Sequence, residues 1–290
     1  MSSLSRREAL RLMAAGVTGS ALLPTLVRGL STSTMNGKAL AKIDKIGLQL
    51  YTVRKAMAKD VDGTIAALAA AGIQEVEFAD YYNRSAEQWK ALLKQNNLTS
   101  PSTHIGFPKT NDLWKPQFDM ANGIGHQWVI VPSVGNDMRG SVEGYKRLAD
   151  RLNESGKLAR AAGLRIGYHN HEYEFELVGS SSGYDVLMGA IDPAVVDMEV
   201  DLFWAIKAGQ DPLTMIAKWP GRYPLCHVKD GGPLPERKMM DVGAGVVDFK
   251  AIFQKSKQAG FKHYFIEHDE PTDGVASAAA SAAYLRKLTF

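Results

Sequence analysis

Residues 144–171 read GYKRLADRLNESGKLARAAGLRIGYHNH. The first twenty place apolar residues at helical spacing and stop at Gly163, while the last eight form a β-rich run that ends in His169, Asn170 and His171. One helix followed by one strand with a polar end is a βα unit, and the same alternation recurs along the chain. Further strand candidates are KIGLQLYTV (45–53), EVEFADY (75–81), SPSTHIGF (100–107), QWVIVPSV (127–134), VVDMEVDL (195–202), PLCHVKD (224–230) and KHYFIEHD (262–269). Helix-like segments such as VDGTIAALAAAG and AEQWKALLKQN lie between them. Eight such units in about 245 residues match the size and rhythm of a (β/α)8 TIM barrel. A doubly wound sheet would carry a glycine-rich turn after its first strand, and LYTVRKAMAKD stands there instead. The expected fold is α/β, a single barrel domain over residues 43–290.

Residues 1–42 precede that pattern. Paired Arg6 and Arg7 stand before a modestly apolar run of small residues, and the segment resembles a twin-arginine export signal followed by a linker. The run is too short and too rich in Ala, Gly, Ser and Thr for a stable membrane span. The expectation is a periplasmic or otherwise exported protein with no clear cleavage site. The first thirty residues hold Arg6, Arg7, Arg11 and Arg28 against Glu8 alone, which accounts for the whole net charge of +3. The remainder is neutral, so no basic field is left to hold nucleic acid. The single cysteine, Cys226, excludes an intramolecular disulfide, and its apolar neighbours suggest a buried thiol.

Barrel chemistry sits where strands end. Here four consecutive strands end in ionisable residues: His169, His171 and Glu172; Glu199 and Asp201; His227, Lys229 and Asp230; Glu267, His268, Asp269 and Glu270. Charges are costly at strand interiors unless paired or bound to metal. Alternation puts Glu199 with Asp201, and His227 with Lys229, on shared faces. Mixed imidazole and carboxylate donors suit Mn²⁺, Zn²⁺, Co²⁺ or Fe²⁺ better than Ca²⁺ or Mg²⁺. The bland alternative is a hydrogen-bonded polar plug.

GYHNHEYEF (167–175), EVDLFWAIKAGQDP (199–212), CHVKDG (226–231) and FIEHDEP (265–271) together resemble the sugar phosphate isomerase/epimerase family, the xylose isomerase-like barrels, over residues 45–288. The resemblance implies one divalent metal held by Glu, Asp, His and Glu at the ends of strands five to eight. Asp201, His227 and Glu267 match the last three positions. The first departs from the pattern: His169 is the choice by its place on the strand, with His171 or Glu172 left open. Family epimerases use two metal-bound glutamates at opposite faces of a carbon, and here only Glu267 clearly remains.

His104 ends strand three and is a candidate to protonate or bind a sugar oxygen. Lys229 is a candidate to stabilise an enolate. Glu77, Glu172 and Trp204 are candidate substrate contacts, and Tyr51 and Phe107 candidate apolar walls. Glu174, Glu176 and Asp269 read as solvated loop charges. The leading functional expectation is a metal-dependent isomerase or epimerase that removes an α-proton beside a metal-bound carbonyl, with Glu267 as ligand and base. The alternative is a lyase or hydratase on a keto-sugar, a 3-keto-glycoside or an inosose, with His104, His171 or Lys229 as acid. Relatives with histidine-rich fifth strands include inosose dehydratase-like proteins. An abasic-site endonuclease is disfavoured by the neutral chain, and an exported binding protein is the non-enzymatic alternative. The substrate class is a small sugar or keto-sugar, and a homo-oligomer is compatible with the sequence.

Overall fold

The computed structural model describes residues 40–290. The leader expected over 1–42 therefore falls, through residue 39, outside the described residues. Eight strands close a parallel barrel: β1 Ile46–Gln49, β2 Glu75–Phe78, β3 Thr99–His104, β4 Trp128–Val131, β5 Arg165–His169, β6 Val196–Asp201, β7 Leu225–Val228 and β8 His263–Ile266. Each strand pairs with the next, and β1 closes the ring on β8. No described helix is long and apolar enough to cross a membrane.

The unit quoted above shows why the chain folds this way. Ser141 caps the helix Val142–Ala161 by accepting from the Gly144 backbone N–H. Its buried stripe of Tyr145, Leu148, Ala149, Leu152 and Ala159 lies against the barrel. Each fully buried leucine of that stripe contributes about 2 kcal/mol. Gly163, at φ +80°, turns the chain back into β5.

Inside the barrel, Trp128, Ile130, Leu225 and Phe265 form their own apolar cluster. Gly167 makes room for it: a Cβ there would stand 2.4 Å from Ile130 Cδ1. Below this plug Asp197 receives Trp128 and Arg165, and Glu75 pairs with His263. Above it, toward the strand C-termini, the interior becomes polar again.

All eight strands end one to four residues before the sequence reading, the stretch Leu50–Val53 after β1 being a 3-10 turn, and two of these ends bear on the site. β3 stops at His104, and the stretch through Phe107 turns away after one further ladder bond from Ile105 N to Ile130 O. β8 stops at Ile266, because the His268 N–H donates to Thr52 Oγ1 instead of to a neighbouring strand. Glu267 is thereby left at the barrel mouth.

Candidate active site

A cavity of about 410 Å³ opens at the C-terminal end of the barrel. His169, His171, Lys229, Glu267 and Asp269, from the ends of β5, β7 and β8, line one part of it. Tyr51, Ala79, His104, Pro132 and Ser133, from the ends of β1 to β4, line the rest.

The strand register sets the depth of each ionisable group. His169 pairs in register with Glu199, and Asp201 with His227. Glu77 and Glu199 consequently lie under the histidines, both fully buried. Glu199 Oε2 is 2.7 Å from His104 Nε2, 3.1 Å from His169 Nδ1 and 3.1 Å from His227 Nε2. Glu77 Oε2 is 2.6 Å from His227 Nε2 and 3.2 Å from His104 Nε2. Gln49 and Ser102 donate the remaining bonds to Glu77, at 2.9 and 2.6 Å. Burial alone would raise the Glu77 carboxyl, but the charges and hydrogen bonds of His104 and His227 hold it well below the usual range. The same two carboxylates outweigh burial at His104 and lift it to about 10, and it is a cation at neutral pH.

The opposite ring nitrogens look toward the mouth. His227 Nδ1 is 2.7 Å from Glu267 Oε2 and 4.0 Å from Asp201 Oδ2, and His169 Nε2 is 3.7 Å from Asp201 Oδ2. Lys229 Nζ sits among the acids, 3.1 Å from Asp201, 2.7 Å from Glu267 and 2.9 Å from Asp269. Against the cost of burial, these carboxylates keep the ammonium charged. Burial raises Asp201 to about 6, while the charges of Lys229 and His227 carry Glu267 far below its ordinary value in spite of its burial. Burial lowers His171 to about 3, so its imidazole is neutral at pH 7. Burial likewise keeps His169 neutral, aided by the positive charge of His227.

These residues fit a divalent cation. Asp201, His227 and Glu267 each bring one ligand atom within 4.8 Å of the others. Asp201 Oδ1 caps the next helix through the Trp204 N–H, while the buried Oδ2 has no well-directed hydrogen bond and only the Lys229 ammonium as an ion pair at 3.1 Å. A buried carboxylate oxygen held by a cation and facing two imidazole nitrogens at 3.7 and 4.0 Å is an arrangement that a metal ion can take over. A second overlapping group, His104, His169, Glu199 and His227, is equally compact. In it His104 Nε2 and His169 Nδ1 bond Glu199, and His227 Nε2 bonds Glu77 and lies 3.1 Å from Glu199, so Glu199 and Glu77 form the orienting layer beneath the ligands. Of the three strand-five candidates, His169 is the one turned toward Asp201.

The other sequence candidates fall differently. Glu77 does not line the cavity: it is fully buried and forms the floor below His104 and His227. Glu172 points outward, half-exposed, to Lys207 at 2.9 Å. Trp204 lines a neighbouring cavity. Phe107 packs against Trp114 under the Arg151 guanidinium, away from the mouth. Glu174 is not a solvated charge. It is fully buried, accepts from Tyr168 Oη at 2.6 Å and from the His171 N–H at 2.7 Å, and so fixes the loop that carries His171. Asp269 is bound to Lys229 at the cavity wall, whereas Glu176 is exposed as expected. Sequence reasoning missed Glu199 as the hub of the histidines, although its place two residues before Asp201 on the same face was a usable signal.

Among known proteins, a model of the xylose isomerase-like TIM barrel family matches residues 65–288. The inosose dehydratase of Geobacillus thermodenitrificans is 26% identical over 263 residues, covering 77% of this chain and 88% of that protein. A sugar phosphate isomerase/epimerase from Parabacteroides distasonis superposes with a TM-score of 0.74 at 24% identity, covering 84% of this chain and 94% of that one. The IolI protein with a bound zinc atom superposes with a TM-score of 0.66 at 13% identity, covering 83% of this chain and 96% of that one.

Proposed function

This chain belongs to the xylose isomerase-like TIM barrel family, and we propose that within it the protein is a divalent-metal-dependent lyase that eliminates a β-substituent from a keto-sugar. The observation that carries this reading is the asymmetry of the cavity. The carboxylates that line it, Glu267 and Asp269, both stand at the strand-eight end and both bind Lys229. The wall at the ends of β1 to β4, made by Tyr51, Ala79, His104, Pro132 and Ser133, offers an imidazole but no carboxylate. Epimerisation needs a base on one face of a carbon and an acid on the other. Elimination needs a base for the α-proton and an acid for the leaving oxygen, and both can come from one side. The similarity to a protein named inosose dehydratase supports the same choice over the isomerase expected first.

His169, Asp201, His227 and Glu267 would hold the metal, which when bound would polarise the substrate ketone. His171 borders the cavity as a neutral imidazole and is the residue placed to take the α-proton; burial lowers it to about 3, so it becomes an effective base only as negative charge develops on the bound substrate beside it. The C–H electron pair becomes the carbon–carbon double bond, and the β C–O bond breaks. The departing oxygen takes its proton from Lys229 or His104, the two cations that face the cavity. The products are an unsaturated ketone and water or an alcohol. We also propose export, on the strength of Arg6 and Arg7 in the leader; cell fractionation would test it.

The deciding experiment is elemental analysis of the purified protein, followed by NMR in D₂O with an inosose and with 3-keto-glycosides. About one transition metal per chain, deuterium exchange beside the ketone and an unsaturated product support the lyase. Exchange with only a rearranged sugar returns the isomerase. Absence of both metal and exchange overturns the reading.

A further inference from the structure

A second cavity, of about 230 Å³, adjoins the mouth and shares Asp269 with it. Phe203, Trp204 and Met239 give it an apolar wall. Trp204 stands at the partition. Its ring centroid is 5.7 Å from that of His171 and 5.6 Å from Lys229 Nζ, both of which line the main cavity. The opposite rim is the segment 236–239, which ends the turn of a small hairpin pairing Asp230–Gly231 with Met239–Met240. Asp230 fixes the base of that segment by accepting from the backbone N–H groups of Gly231, Gly243, Gly245 and Val247.

Two donors in the lining are unused. The indole N–H of Trp204 and Nε of Arg237 are both buried and have no hydrogen-bond partner. Buried donors of this kind call for an acceptor. The acceptor need not be an anion, because Lys207, Arg237 and Lys238 are balanced by Glu236, Asp269 and Glu270 around the same cavity. Lys207 is already paired with Glu172, and Glu270 with Arg54. An aromatic face, unfilled neutral-site donors and no net charge suit a ring that carries both C–H faces and hydroxyls.

We propose that this cavity is a subsite for a second sugar ring, so that the substrate is a keto-sugar glycosidically linked to another sugar. The inference rests on the lyase reading and extends it. With the ketone two carbons from the anomeric centre, removal of the intervening α-proton expels the glycosidic oxygen. The C–H pair forms the double bond, the anomeric C–O bond breaks, and the second sugar leaves as an alcohol after taking one proton. The shared wall at Asp269 and Trp204 puts that leaving sugar next to Lys229.

The test is calorimetric titration of the metal-loaded full chain with 3-keto-glucose and with a 3-keto-disaccharide, alongside deuterium exchange for each. The expected result is at least about tenfold tighter binding of the disaccharide, a difference of about 1.4 kcal/mol. That ratio should fall toward one in Trp204→Ala and in Arg237→Ala, both retaining full metal content. Equal affinities in the unaltered protein, or an unchanged ratio in both variants, would overturn the subsite. Preference without deuterium exchange leaves the subsite standing and removes the lyase; exchange without preference does the reverse.

Discussion

Replacing Glu199 by glutamine should weaken metal binding without touching a ligand. One oxygen, Glu199 Oε2, faces His104 at 2.7 Å and His169 and His227 at 3.1 Å each. It therefore sets the proton on Nδ1 of His169 and leaves Nε2 of that ring as the lone pair facing Asp201. The substitution keeps the shape of the side chain but removes its charge and half its accepting capacity. His104 and His227 keep Glu77 as an acceptor, at 3.2 and 2.6 Å, whereas the His169 ring is free to present its protonated nitrogen to the site. Loss of a single orienting partner typically costs 10–100-fold in metal affinity, about 1.4–2.7 kcal/mol. Because only one candidate ligand depends on this oxygen alone, the effect belongs at the lower end. Competition against a chromophoric chelator gives the dissociation constant directly, and circular dichroism of the metal-free variant confirms the barrel. A dissociation constant within threefold of the unaltered protein, in a folded variant, would refute the assignment of Glu199 as the hub.

Asp201→Ala should abolish metal occupancy with the fold kept, and full occupancy by elemental analysis would remove Asp201 from the ligand set. Burial raises Glu174 from its ordinary value of 4.5 to about 7, so its contribution is complete below pH 4.5 and is lost as pH rises through 7. The loss amounts to about 3 kcal/mol. Glu174→Gln, to whose amide the Tyr168 hydroxyl can turn as acceptor, should gain on the unaltered protein by up to that amount at pH 8.5 and by little at pH 4.5; parallel urea-denaturation curves at both pH values would contradict this. Asp230→Asn removes acceptors for two of four backbone N–H groups and should lower stability by about 3 kcal/mol, with faster proteolysis within residues 232–246; an unchanged cleavage rate counts against the anchoring role. Cys226 is fully buried and its thiol pKa is raised by that burial, so a thiol reagent should label it only after unfolding.

The barrel was readable because its evidence is periodic. Eight β-rich runs separated by helical spacing survive errors of a few residues at each end, and all eight strands stop short of the reading without moving any element. The chemistry was readable at the level of faces, since alternation alone puts His227 with Lys229 and Glu199 with Asp201. Depth was not readable. A closed barrel staggers its strands, so two inward residues on different strands are level only if the register makes them so. The register pairs Gln49 with Glu77 and Glu77 with Ser102, which puts Glu77 in the buried layer below the mouth.

The same limit explains the remaining misplacements. Glu174 looks like a loop charge until the short turn Tyr173–Phe175 folds it back beneath Tyr168. Trp204 follows Asp201 by three residues, and the start of a helix at Leu202 swings it past the mouth to the adjoining cavity. What the sequence could not give was therefore one coordinate, the height of each side chain along the barrel axis. That height separates ligand from orienting layer: Asp201 and Glu199 are both carboxylates on one strand face, and two residues of rise put one at the mouth beside Lys229 and the other beneath it, bonded to His104 and His169.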